Sequence, residues 1–147
     1  MLRDKLLGYW KLQSWEIRRA DGRVTYPLGQ SPRGLLIYGE NDLMAAQLGD
    51  PDRPGFNIND RALGTPEELK AAFEGYTAYF GRYEVDEAQK AVIHYPDMAL
   101  FPNYIGSEQV RYVQLEGNHL FLSTNPISFQ GHEQVYVLVW EKLTEQI

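Results

Sequence analysis

Apolar and polar residues alternate over Tyr9 to Arg18, Gly34 to Tyr38, Leu43 to Leu48, Tyr79 to Val85, Ala91 to Tyr95, Gln109 to Leu115, Leu120 to Thr124 and Val135 to Lys142. A period of two places successive side chains on opposite faces, so each run reads as a half-buried β-strand. Val24-Thr25-Tyr26 continues the first run past Asp21-Gly22, a good hairpin turn, before a break at Pro27-Leu28-Gly29. Gly39-Glu40-Asn41-Asp42 and Glu116-Gly117-Asn118-His119 supply two more tight turns.

One segment departs from this period. Thr65-Pro66-Glu67-Glu68 is a helix start, because Thr65 can cap, Pro66 suits the first helical position and Glu68 completes a capping box. Leu69, Ala72, Phe73 and Tyr76 then fall on one face, which is expected to pack on the strands as core, a lid being the alternative. Gly49 to Gly64, rich in Pro and Asp, and Pro96 to Gly106 read as long rim loops.

The expected fold is all-β: an antiparallel up-and-down β-barrel of eight to nine strands with one short helix. Tryptophans near both ends, Trp10 and Trp140, suggest that the first and last strands pair and close it, removing the edges an open sheet must protect. An open β-sandwich is the alternative. No repeat or linker divides the chain, so residues 1–147 are expected to form a single domain.

Composition narrows the function. Thirteen glycines, eight prolines and ten tyrosines suit a turn-rich β protein. The net charge of -6, with no basic cluster, disfavours nucleic acid and anionic membrane surfaces as partners. With no cysteine there is no disulfide, thiolate nucleophile or Cys-bound metal, and a reducing cytoplasm is the natural setting. Met1 to Gly8 is too charged for a signal peptide, and the longest apolar run, Val135 to Trp140, is far short of the roughly 20 residues a spanning helix needs. No phosphate loop, Ser-His-Asp order or paired-carboxylate motif is present.

Over almost its whole length the chain resembles the lipocalin-like domain family, a bacterial and fungal branch of the calycin barrels. The resemblance rests on Gly8-Tyr9-Trp10-Lys11-Leu12, Asp21-Gly22-Arg23-Val24, Tyr26-Pro27-Leu28-Gly29, Gly34-Leu35-Leu36-Ile37-Tyr38, Tyr79-Phe80-Gly81-Arg82-Tyr83, Gln109-Val110-Arg111-Tyr112 and Val139-Trp140-Glu141. It implies a cavity for a small hydrophobic or amphipathic ligand. A few calycin relatives look like isomerases or cyclases, so the resemblance implies a cavity that can host either storage or chemistry. It also implies that Trp10 plugs the closed end under a basic side chain, Lys142 or Arg111, with Trp140 completing the closure.

Arg82, His94, Gln109 and Arg111 match polar positions of that family, and an arginine fork suits a carboxylate or carbonyl. Alternation ties Gln109 to Arg111, and Arg82 to Phe80 and Glu84. If the face of Tyr79, Gly81, Tyr83 and Val85 is the core, Arg82 is instead a solvated charge paired with Glu84 or Glu108. Tyr38, Met44, Tyr104 and Phe121 are candidate ligand contacts, and Leu36, Tyr79, Phe101 and Phe129 further lining. Trp15, out of phase with Trp10, is expected outside. His94 is the candidate acid/base for an isomerase or cyclase, with Arg111 stabilising an oxyanion. His94, His119 and His132 match no zinc spacing, and haem on His94 or His132 is a third reading; no metal or other cofactor is expected. Surface strands are able to mediate a homodimer, with no patch marked for it. Which face lines the lumen is left open, since one step in register reverses every inside and outside assignment.

Overall fold

The computed structural model describes residues 1–144. Ten strands form: β1 (Gly8–Arg19), β2 (Val24–Thr25), β3 (Arg33–Tyr38), β4 (Leu43–Gly49), β5 (Tyr76–Asp86), β6 (Ala91–Ala99), β7 (Gln109–Glu116), β8 (His119–Ser123), β9 (Ile127–Phe129) and β10 (His132–Lys142). Eight of them close a barrel in the order β1-β3-β4-β5-β6-β7-β8-β10, every pairing antiparallel, and β10 returns to β1. The closing seam runs from Trp10 opposite Lys142 to Arg19 opposite Gln134, so the sandwich alternative falls. Short β2 and β9 extend β1 and β10 at one end.

The barrel has two unlike ends. At one, short connections follow β3, β5 and β7, and a helical turn, α1 (Leu2–Leu6), plugs the opening. Its fully buried Leu6 accepts a hydrogen bond from Trp10 Nε1 at 2.8 Å, and Glu87 caps it by accepting from the backbone N–H of Leu2 and Arg3. The Lys142 ammonium lies 4.6 Å from the Trp10 ring centroid and donates to the Leu7 carbonyl. Lys142 is thus the cation over Trp10, while Arg111 is engaged elsewhere.

At the other end lie the long segments 50–75, 100–108 and 124–131, which form the mouth. Helix α2 (Pro66–Glu74) starts with the reciprocal capping box of Thr65 and Glu68. Its apolar stripe is not core, however: α2 has no buried residue, and Leu69 and Phe73 stand about half exposed. Tyr76 belongs to β5, which starts three residues earlier than the alternation suggests, so only Leu69, Ala72 and Phe73 remain on the helix. Thr65→Ala is therefore expected to cost about 1 kcal/mol locally. Amide exchange of residues 66–74 should accelerate while the global unfolding midpoint barely moves.

Burial settles the parity. Leu36 and Tyr38, Met44, Ala46 and Leu48, Tyr83, Val92 and His94, Leu120 and Leu122, and Tyr136 and Trp140 face inward on their strands. Phe121 falls out of phase with Leu120 and Leu122, opposite Gln114 and Val139, and faces outward rather than into the lumen. Arg82 is outside too, bonded to Glu84 at 2.8 Å and stacked on Tyr95 at 3.8 Å. A bulge between Leu12 and Ser14 shifts the phase of β1 by one residue, so Trp10, Leu12, Trp15 and Ile17 share the inner face. Trp15 is thereby turned inward, against expectation. β6 runs through Pro96 to Ala99, and where Pro96 faces Gly81 the backbones approach so closely that a Cβ on Gly81 would sit 2.0 Å from the Tyr95 carbonyl oxygen. Among the described residues no helix is long and apolar enough to cross a membrane.

Candidate functional site

Above the plug, a cavity of about 60 Å³ lies between the inner faces of the eight barrel strands. Leu36, Ala46, Leu48, Leu122 and Leu138 make an apolar wall, and Trp15, Tyr79, Tyr136 and Trp140 an aromatic one. The volume is several times what a single water needs, but small for a ligand of a dozen heavy atoms. It shares Trp15, Thr77, Tyr104 and Tyr136 with a wider space of about 670 Å³ at the mouth, which Tyr26, Phe73, Phe101 and Phe129 border. A molecule with its head in the lumen would have its body in the mouth.

The polar groups converge on the lumen floor. His94 is buried between two tyrosines, with Tyr38 Oη 2.6 Å from Nε2 and Tyr79 Oη 2.6 Å from Nδ1. Burial, and secondarily the Arg111 charge, push the His94 pKa well below 6.5, so the ring is neutral, with one N–H and one lone pair. The direction of the chain follows from satisfaction. Tyr38 is 1% exposed and, among the described residues, its hydroxyl meets only His94, so its proton must go to Nε2 or be buried without an acceptor. Nδ1 then carries the imidazole proton and donates it to Tyr79, and the Tyr79 hydroxyl is left to donate into the cavity it lines.

Arg111 is 7% exposed and is held by its neighbours: it donates to Gln109 Oε1 at 3.2 Å and to the Val110 carbonyl at 3.1 Å, while Gln109 donates to Ser107. No carboxylate pairs with it among the described residues. Its charge acts on the tyrosines around it, yet burial outweighs it: Tyr38, Tyr79 and Tyr104 are all raised above 10, and Tyr136 is pushed up to about 12. All four hydroxyls stay protonated at neutral pH. The indole N–H groups of Trp15 and Trp140 are buried with no acceptor among the described residues. The cavity thus presents a cation and several donors against an apolar wall.

The sequence candidates divide accordingly. His94, Arg111 and Tyr104 meet at the cavity, with Gln109 and Tyr38 behind as positioning groups. Met44 is buried below it, nearer the plug, and does not line it. Trp140 combines closure with lining, whereas Trp10 belongs to the plug. Arg82 and Phe121 lie on the outer face. His119 faces Glu141 at 3.6 Å and His132 opens β10, while both nitrogens of His94 are already engaged. Among the described residues no three His, Asp or Glu side chains converge as a metal site would require. Trp15 and Tyr136 are the aromatic lining residues that sequence reasoning misses. Tyr136 is within its reach, since it shares the parity of Trp140 on β10; Trp15 requires the bulge.

Comparison with known proteins agrees with this architecture. The family model described as "Lipocalin-like domain" matches residues 7–143. A curated relative, the 4'-hydroxy-3'-methoxypropiophenone carrier protein of Aspergillus oryzae, is 38% identical over 107 residues, which cover 68% of this chain and 96% of the relative.

Proposed function

The chain belongs to the lipocalin-like domain family, and from that premise we propose that it binds and carries a small apolar or amphipathic molecule in its lumen. The observation that carries this reading is the cavity: apolar and aromatic walls, a few directed polar groups on the floor, and an opening at the loop-rich end. The fungal relative's name as a carrier of an aryl ketone supports it. Rigid strands hold the floor groups in place, so little conformational freedom is lost when a ligand enters.

Native mass spectrometry tests the proposal. After incubation with the aryl ketone of the relative's name, the wild type should retain one ligand mass that denaturation removes. Ala46→Leu, whose added atoms enter the cavity wall, should retain none. A wild type that retains nothing, or a variant that retains as much, would count against lumen binding.

A second reading, an isomerase or cyclase in the same cavity, is favoured by the Tyr38–His94–Tyr79 chain. In it Tyr79, not His94, faces the substrate, because both ring nitrogens of His94 are taken. Tyr79 would be the acid and Arg111 the stabiliser of an enolate oxygen. Turnover of a bound ketone that survives in Tyr79→Phe would remove this assignment.

A further inference from the structure

The lumen floor carries a net positive charge with no carboxylate among the described residues to balance it. Arg111 is more than nine-tenths buried, and its hydrogen bonds go to neutral groups, the Gln109 side chain and the Val110 carbonyl, with the Tyr79 hydroxyl also within its reach. The rings around it are a neutral imidazole and protonated tyrosines. A buried guanidinium is ordinarily matched by a carboxylate, because desolvating an unpaired charge is costly. Here the groups around it are donors too: the Tyr79 hydroxyl by the direction of the His94 chain, and the protonated Tyr104 and Tyr136 hydroxyls of residues that line the same cavity. A donor set around a cation repels another donor and accepts oxygen.

We infer that the molecule this barrel carries is a small amphipathic oxyanion, a carboxylate or phenolate on an apolar body, bound head-down with its charged oxygen between Arg111 and Tyr79 and its body toward the mouth. Gln109 is a positioning residue: by accepting from one arm of the guanidinium and donating to Ser107, it fixes the fork so that its other N–H donors are available. The inference rests on the carrier reading and adds the charge of the ligand to it.

The test is a charge series on one body, read by isothermal calorimetry: phenylacetate, phenylacetamide and phenethylammonium. Phenylacetate should bind wild type at least about tenfold more tightly than phenylacetamide, since bonds to a charged acceptor are roughly twice as strong as neutral ones, and phenethylammonium should not bind. In Arg111→Gln the preference should shrink to about twofold or less, and in Arg111→Lys, which keeps the charge, most of it should survive. Tyr79→Phe should weaken phenylacetate about three- to tenfold while the charge of Arg111 stays in place. If Arg111→Gln does not fold, the wild-type series and Tyr79→Phe still decide. Equal binding of acid and amide by wild type would overturn the inference while leaving carriage intact. Failure of every probe, the neutral one included, would count against lumen binding itself and the inference with it.

Discussion

Replacing Trp10 with alanine should lower the stability of the barrel by about 3 to 5 kcal/mol, the cost of emptying a buried aromatic site. Three losses add at this position. The indole is 2% exposed and its removal leaves a void in the main core, where Leu6 and Trp140 also lie. The Leu6 carbonyl loses the donor that ties α1 to β1, and the Lys142 ammonium loses the ring it covers, while remaining partly desolvated. Trp10→Phe separates these terms, since it keeps an aromatic body but loses the N–H; about 1 to 2 kcal/mol is expected for it. Denaturant midpoints at constant slope measure both. A loss under about 1 kcal/mol for the alanine variant would mean that the plug contributes little.

The second large effect is a pH dependence owed to His94. In the folded barrel its pKa is depressed well below 6.5 by burial and by Arg111, whereas in the unfolded chain it is ordinary. Above about 6.5 both states hold the neutral ring and the contribution to stability is complete. Below it the unfolded chain takes up a proton that the folded barrel refuses, so stability falls with falling pH, by up to about 1.4 kcal/mol per unit, until the folded-state value is reached. Carboxylates add their own acid sensitivity. The comparison is therefore with His94→Gln, which offers a donor and an acceptor to Tyr38 and Tyr79 but cannot titrate. Wild type should lose stability more steeply than the variant on the acid side of 6.5 and run parallel to it above. Parallel curves throughout would show that His94 titrates normally and that its burial between Tyr38 and Tyr79 does not disfavour the charged ring.

What is legible in the amino-acid sequence is whatever alternation and turn chemistry determine locally. The eight barrel strands and the Thr65 capping box follow from short-range pattern, whereas the pairing of the first and last strands is a long-range contact that only the tryptophans near the two ends suggest. Parity is legible in part: on β5 the face of Tyr79, Gly81, Tyr83 and Val85 looks more like core than that of Arg82, as it is. Phe121 is misplaced when size and apolarity outweigh its phase between Leu120 and Leu122. Trp15 is misplaced because the bulge beside Gln13 depends on the register with β10, a non-local property that leaves no periodic mark. The stripe on α2 is an amphipathic face without a surface to bury it, since the mouth it overhangs is open. The floor of the site is the least legible part, because Tyr38, Tyr79, His94 and Arg111 come from four strands and only closure of the barrel brings them together.

The most direct test of lumen binding is to follow the indole N–H signals of the three tryptophans by nitrogen-15 NMR during a titration with phenylacetate. Trp15 and Trp140 line the cavity with unpartnered N–H groups, whereas the Trp10 N–H is bonded to the Leu6 carbonyl in the plug. The Trp15 and Trp140 signals should move together and saturably while that of Trp10 stays in place. Saturable binding by calorimetry with both cavity signals unmoved would place the ligand outside the barrel and contradict lumen binding.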